Sequence, residues 1–557
     1  MRTLMRWKYF VVAVCAMFCT VQANAQGLQQ FGKFLQAGEF GPARRFANGV
    51  GDKQRRDQML RDIAISQALS GARRGSVSTA GDIGNDRLRN DAFNNIGRQP
   101  MARGGAAAAD FDSLIELIQS TTAQPEPGWK DEGGTGTVEE FRGGVYVDAR
   151  GILRKIRHDR SLSLSNLHRQ SWNHSTNATV RKSSRLRKVS LVRLEKEIQK
   201  LRALGQSPDN AMKVLAGIYK IEYVLVYPKS GDVVVAGPAS DWHRNVEGRL
   251  VSKKSGAPAL QLDDLVVVLR NAFDGRGEFG CSIEPTAAGL RRLQEVIADP
   301  KRATVKRMRE AMGRQQIVVS GVDPRTRVAR VVVEADYHMK LVGLGIEKGT
   351  LGLTSYMDLL ARRENPSRSG TTMLRWWFTA NYKSIQANQA RSAFQFNGQG
   401  VQVQSENEFL AAGGKRVRTG RSDTLNKEFA ASFTSHFNKL ASRYPIYAEL
   451  RNIYDLATVA ALMKQEDMPG QVGWSMSVFR SPQLYQVKLG AAPKEVESVV
   501  TRRTFLRGNK RHIVKLVSGG VTVDARPVVK KQIGPDAGIL EVKLSSQRPR
   551  GRQWWWD

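Results

Sequence analysis

The apolar positions of this chain recur at two spacings, and each predicts a different element. Leu191, Leu194, Ile198, Leu201 and Leu204 fall three or four residues apart, with Ser190 in front and Gly205 behind. That is a helix with an N-cap and a glycine stop. The spacing predicts further helices over 54–69, 111–118, 262–269 and 287–297. Leu425, Phe429, Phe433, Phe437 and Leu440 line one side of a helix over 423–443, and a second helix over 446–464 follows Tyr444-Pro445. An apolar stripe of this kind is the seam between packed helices.

Alternation marks the strands. Residues 144–153 read as strand, turn, strand, and 394–403 alternate about Asn397-Gly398, a hairpin signal. Two stretches read alike. Residues 210–238 run helix, strand at 223–227, turn, strand at 233–235. Residues 303–334 run basic helix, strand at 317–319, turn at Asp323-Pro324-Arg325, strand at 331–333. Short strands at 513–517 and 521–523 come late. The predicted fold is α+β: repeated helix–strand–turn–strand units, then a C-terminal region with a β-hairpin and an αα pair. The domains expected are a flexible basic segment over 26–108, a central α+β domain over 109–345 with a mobile loop near 157–189, and a C-terminal α+β region over 346–540. Residues 541–557 form a basic tail ending Trp554-Trp555-Trp556-Asp557, expected to be a disordered end.

At the start, Arg2, Arg6 and Lys8 precede an apolar run from Tyr9 to Val21, and Ala23-Asn24-Ala25 supplies a small-x-small site. Together these predict a signal peptide over 1–25, and so an exported protein, periplasmic or extracellular. The run is shorter than the roughly 20 apolar residues of a spanning helix. No later segment is long and apolar enough either, so no transmembrane span is expected after cleavage.

Charge and cysteine content sharpen this picture. The chain has 557 residues, 41% of them apolar, and a formal net charge of +34. Losing Arg2, Arg6 and Lys8 with the signal peptide leaves +31. An excess of this size predicts attraction to polyanions. Its clusters are Arg181-Lys182, 185–188, 301–309, 415–421 and 502–511. No helix-turn-helix, RRM or zinc-finger pattern organises them, which argues against nucleic acid and for an anionic envelope polymer or a protein partner. Of three cysteines, Cys15 and Cys19 lie in the signal peptide. Cys281 alone remains, so the mature chain is expected to have no internal disulfide.

Motifs for chemistry are sparse. There is no P-loop, H-E-x-x-H, G-x-S-x-G or paired CxxC, and the seven histidines are scattered. Cys281 sits in Phe279-Gly280-Cys281-Ser282-Ile283. It reads as a nucleophile with His243 or His338 as base, or as a small buried hydrophobe, since Phe279 and Ile283 alternate with it as in a strand. Glu334, Asp336 and His338 alternate as if on one strand face, a pattern that suits a metal or acid/base chemistry. The competing reading is a polar strand end. No catalytic residue, cofactor or metal ligand is assigned. Cys281, Asp336 and His338 stand as candidates for a hydrolase-like alternative to a binding protein.

Several strings are familiar as a set. They include Leu114-Ile115-Glu116-Leu117-Ile118, Gly143-Gly144-Val145-Tyr146-Val147-Asp148, Arg187-Lys188-Val189-Ser190-Leu191 and Val235-Ala236-Gly237-Pro238. Others are Leu260-Gln261-Leu262-Asp263-Asp264-Leu265, Phe279-Gly280-Cys281-Ser282-Ile283 and Gly321-Val322-Asp323-Pro324-Arg325-Thr326. Glu334-Ala335-Asp336-Tyr337-His338-Met339-Lys340-Leu341 and Ala448-Glu449-Leu450-Arg451-Asn452 complete it. The chain thereby resembles, over roughly 110–465, a planctomycetal family of secreted proteins built on a domain of unknown function. The resemblance implies export and a shared fold. It implies no activity and carries over no site residue. The function expected is that of an exported, non-enzymatic binding or structural protein.

Overall fold

The structure is a computed structural model. It describes residues 29–98 except 71, 137–141, 144–148, 178–299 except 246, 303–362, 372–505 except 491, 511–531, 533–535 and 553–557. The expected signal peptide and the helix expected over 111–118 lie outside these residues. The chain divides into two compact units, Met1–Gly84 with Leu88–Asn173, and Asn85–Arg87 with His174–Asp557.

In the first unit the described part of the segment expected to be flexible is largely helical. After a helical stretch over 29–36 come α1 (Phe40–Asn48), α2 (Lys53–Leu69), α3 (Arg73–Gly81) and α4 (Asp86–Arg98). Asp52 caps α2 by accepting from the backbone N–H of Gln54 and Arg55. The buried apolar positions mix alanines, Ala43, Ala47, Ala64, Ala80 and Ala92, with larger residues, Phe31, Met59, Leu60, Ile63, Val77, Ile83 and Ile96. Ser76 donates to the Ala64 carbonyl at 2.7 Å, and Arg61 pairs with Asp91 at 2.5 Å. Alanine is the best helix former, yet it contributes little to an apolar pattern. The helix expected over 54–69 is α2, but a composition rich in Arg, Asn, Gln and Ala concealed α1, α3 and α4. A separate hairpin pairs β1 (Thr137–Phe141) with β2 (Gly144–Asp148). Gly144–Asp148 is thus paired with the strand before it, and the rest of the hairpin expected over 144–153 lies outside the described residues.

The second unit is α+β and is built on one mixed 13-stranded sheet. Its main elements, in order, are β3 (Ser184–Ser190), α5 (Leu191–Ala203), β4 (Tyr223–Tyr227), β5 (Asp232–Ala239), α6 (Leu262–Asp274), β6 (Glu278–Glu284), α7 (Ala287–Ala298) and α8 (Val305–Met312). Then come β7 (Arg314–Ser320), α9 (Arg327–Gly343), β8 (Thr372–Ala387), β9 (Ala393–Leu410), α10 (Thr424–Ser435), α11 (Phe437–Arg443) and α12 (Pro445–Gln465). The last are β10 (Val500–Phe505), β11 (Arg511–Asp524) and β12 (Trp555–Trp556). The strand order is Glu495–Glu497, β7, β6, β11, β8, β9, β4, β5, β3, β12, with β10 also on β11.

Alternation along β8 gives the sheet two packed faces. Trp376 and Phe378 point to one face and meet Phe429, Phe433, Phe437 and Tyr447 of α10, α11 and α12, with ring centroids 4.3–6.4 Å apart. The apolar stripe faces the core as expected, but against the sheet as well as α12, and the single helix expected over 423–443 is broken at His436 into α10 and α11. Each such ring pair adds roughly 0.5–1.5 kcal/mol beyond area burial. Met373 points to the other face. There it joins Leu516 and Val500 beneath Leu290 and Leu293 of α7 and Met308 and Met312 of α8.

Several elements differ from expectation. The second repeat ends in the helix α9, not a strand. Three consecutive valines favour a strand locally, but Thr326 caps the helix by accepting from Ala329 N–H. Val328, Val331, Val332, Ala335, Met339 and Val342 then bury at helical spacing. The hairpin at Asn397-Gly398 is instead a bulge inside the long strand β9. Gly398 and Gly400 take φ of +114° and +80°, and the pairing with β8 skips Gln399. The true turn has no glycine. Asn388 Oδ1 accepts from the N–H of Ser392 and Ala393 at 2.8 and 3.0 Å, and Arg391 takes the left-handed conformation. The two late strands are one, β11. Within the loop expected over 157–189, Ser184–Ser190 is the sheet strand β3. The described part of the tail is also ordered, as the edge strand β12 on β3.

Candidate functional site

Cys281 lies in β6 between Val319 of β7 and Val521 of β11, and is 7% exposed. Burial pushes its thiol well up, the Asp336 carboxylate adds to this, and Lys340 opposes it. A nucleophilic cysteine needs the reverse, a partly exposed thiol held as thiolate. Asp336 is fully buried on α9 and accepts from Lys340 Nζ at 2.8 Å, one turn on. Its Oδ1 has no hydrogen-bond partner among the described residues. Burial raises its pKa against the pull of Lys340.

His338 is two residues from Asp336 on a helix, so it points about 200° away from it. Its Nδ1 shares a 2.7 Å hydrogen bond with the Tyr447 hydroxyl, and its ring lies 4.5 Å from that of Tyr444. Burial lowers its pKa, with Glu347 opposing. The structure therefore brings Cys281 and Asp336 into one interior cluster and turns His338 toward the tyrosines. The shared strand face expected of Glu334, Asp336 and His338 does not form, because α9 is a helix.

Charge is the feature that organises this unit. Many arginines are consumed internally. Arg327, at the start of α9, bridges Asp264 of α6 and Glu449 of α12. Arg249 bridges Glu449, Glu334 and Glu247. Burial raises the Asp264 carboxyl to about 6 even beside Arg327. Asp264, Glu334 and Glu449 come from three of the familiar strings, and Arg327 directly follows a fourth. These strings thus meet in an interior ionic network. The clusters at 181–188 are spent in part: Arg181 pairs with Asp241, Arg187 is fully buried on Asp557, and burial lowers the pKa of Lys188, while Lys182 and Arg185 stay exposed.

The unspent cations collect elsewhere. The apolar sides of α7 and α8 face the sheet, leaving Arg291, Arg292, Lys306, Arg307 and Arg309 exposed on their outer sides. The hairpin strand Arg416–Arg418 pairs with β9, and Gln294 of α7 donates to the Ala411 carbonyl at 3.1 Å. That contact sets exposed Lys415 beside the helices, next to Arg416 and Arg418, which pair with Glu408. Arg502 of β10 donates to the Ala303 carbonyl just ahead of α8. Cations of two basic clusters far apart in sequence therefore share one surface, with Arg502 of a third at its edge. Among the described residues, no carboxylate comes within ion-pair distance of Arg291, Lys306, Arg307, Arg309 or Lys415. Glu295, Asp299 and Glu310 are the acidic residues on or flanking the same helices. Exposed Phe409 and Val417 sit opposite each other in the hairpin, at 54% and 43% exposure, giving the basic surface an apolar edge.

Each cluster was visible in the sequence, but their meeting was not. No local pattern reports that α7, α8 and the hairpin share one side of the sheet.

The family described as protein of unknown function (DUF1598) has a model that matches residues 281–356. The similarity runs from the middle of β6 through α7, α8, β7 and α9, and so covers Cys281, Asp336, His338 and both basic helices. No curated protein and no solved structure matches the chain. Among the described residues, no helix is long and apolar enough to cross a membrane.

Proposed function

We propose that this is an exported, non-enzymatic binding protein whose partner is an anionic polymer of the cell envelope, held on the surface of α7, α8 and the 411–418 hairpin. The observation that carries the reading is the sorting of charge. Arg249 and Arg327 within the fold are neutralised by carboxylates, whereas Arg291, Lys306, Arg307 and Arg309 on the helix pair stay exposed with no carboxylate in ion-pair distance among the described residues. Unpaired surface cations on a rigid, packed scaffold attract extended polyanions and contribute little to the fold itself. Export rests on the N-terminal pattern and on the resemblance to secreted planctomycetal proteins. An ordered Cys281 that is buried and protonated agrees with a non-enzymatic role.

The test is retention on immobilised polyglutamate. Wild type should elute late, and earlier as salt rises, because exposed charges are screened over about 10 Å at 0.1 M. K306E/R307E/R309E should elute early, while K229E/K254E/K439E, reversed at exposed cations elsewhere, should behave as wild type. Equal retention of the two triple variants sinks the assignment to this surface. Retention insensitive to salt sinks its electrostatic basis.

A further inference from the structure

Residues 553–557 dock on β3 in the manner of a bound peptide. Trp555 and Trp556 pair antiparallel with Val189 and Lys188, and Ser190 N–H donates to the Trp554 carbonyl at 2.8 Å. All three tryptophans are under 10% exposed. Trp556 fills an apolar pocket of Leu225, Val234 and Ala393, edged by Tyr223 and Tyr227. Arg187 donates to both carboxylate oxygens of Asp557, at 2.7 and 3.0 Å, and its guanidinium lies 4.7 Å from the Trp555 ring centroid. Arg193 donates to the Gln553 carbonyl at 2.8 Å and lies 6.0 Å from the Trp556 ring centroid.

These contacts make up a complete recognition set for an extended peptide: a main-chain ladder, a side-chain pocket and a carboxylate fork. The receptor side does not depend on the peptide for its shape. Arg187 also donates to the carbonyls of Val180, Ala216 and Lys182, so its fork is held by the fold. The peptide and its receptor are 370 residues apart in sequence.

We propose that the β3 edge, with Arg187 and Arg193, is a binding site for an extended Trp-Trp-Asp strand, and that a second copy of this chain is the partner that can supply it. The occupant seated in the site is this chain's own segment. Every other copy therefore carries a matching strand, and exchange of an identical element between protomers is a low-cost route to a dimer. The strand ladder, the pocket and the fork would be unchanged by exchange.

A chain ending at residue 552 and a labelled peptide Gln-Trp-Trp-Trp-Asp test this. The truncated chain should bind the peptide saturably, the full chain should bind it weakly, and R187A in the truncated chain should weaken binding about tenfold or more. Mixed full chains carrying two different tags should co-purify increasingly with concentration, and removal of 553–557 from both should abolish that. If the truncated chain keeps the circular dichroism of the full chain yet takes up no peptide, the site is wrong. If truncation unfolds the protein, a full chain cut after folding at a protease site placed within 540–550 replaces it. Failure of the cut chain to exchange its own segment for labelled peptide overturns the proposal equally. Peptide binding without any concentration-dependent co-purification overturns the second copy as partner.

Discussion

Lys340 and Asp336 lie one helical turn apart on α9, and neither side chain reaches solvent. A buried pair of this kind adds little net stability, but removing one partner strands a charge, at a cost of roughly 3–5 kcal/mol. Lys340→Met should destabilise the fold by about that much, and adding Asp336→Leu should restore most of the loss. Chemical denaturation of the two variants decides it; a single variant as stable as wild type contradicts the pairing. Cys281, beside this pair, should resist thiol reagents in the native protein and react only on unfolding. Fast native labelling would revive the nucleophile reading. The sequence made Cys281 legible as a strand residue because Phe279 and Ile283 alternate around it. Asp336 was not legible as an ion-pair partner: its i, i+4 relation to Lys340 exists only once 327–343 is read as a helix.

At the scale of elements, Glu195 of α5 shows how the unit is tied together. It is fully buried and accepts from Trp474 Nε1 and from the N–H of Val478 and Phe479, at 2.8 and 2.9 Å for the last two. Burial still raises its pKa to about 7, from 4.5, over the opposing pull of those donors. The folded state therefore holds the proton more tightly than the unfolded chain. This group's contribution is fully present below pH 4.5 and is lost as pH rises to about 7, a span on the order of 3 kcal/mol. Glu195→Gln should remove that slope from the curve of stability against pH. An unchanged curve means that Glu195 does not titrate there. Elements with a cap or a clear period were legible, as with Ser190 ahead of α5 and the phenylalanine stripe of α10 and α11. Elements chosen by tertiary burial were not. The valines of α9 favour a strand until their burial against the sheet is counted, and the turn at 388–392 relies on Asn388 and a left-handed Arg391 instead of glycine. The edge strand β12 was hidden because its pairing partner is hundreds of residues away.

Over the whole molecule, the excess of positive charge divides into two populations. Arg187, Arg249 and Arg327 hold elements of the second unit together. Among the described residues, Arg291, Lys306, Arg307, Arg309 and Lys415 make no such pairs and lie outside a packed apolar layer, whereas Arg416 and Arg418 of the hairpin pair with Glu284 and Glu408. Net charge was legible from composition, but this division depends on which carboxylates the fold brings near each arginine. Reversing the exposed cations should leave stability within about 0.5 kcal/mol, as for surface changes away from buried features. Unfolding curves check this, and a larger loss would recast these cations as structural.

The most direct test of the account is a titration with soluble polyglutamate at several salt concentrations, comparing wild type with K306E/R307E/R309E. The account predicts a dissociation constant that rises steeply with salt for wild type. At low salt the variant should bind about a hundredfold more weakly, at roughly 1 kcal/mol per cation near an anionic surface. Equal affinity of the two proteins, or an affinity indifferent to salt, would contradict it.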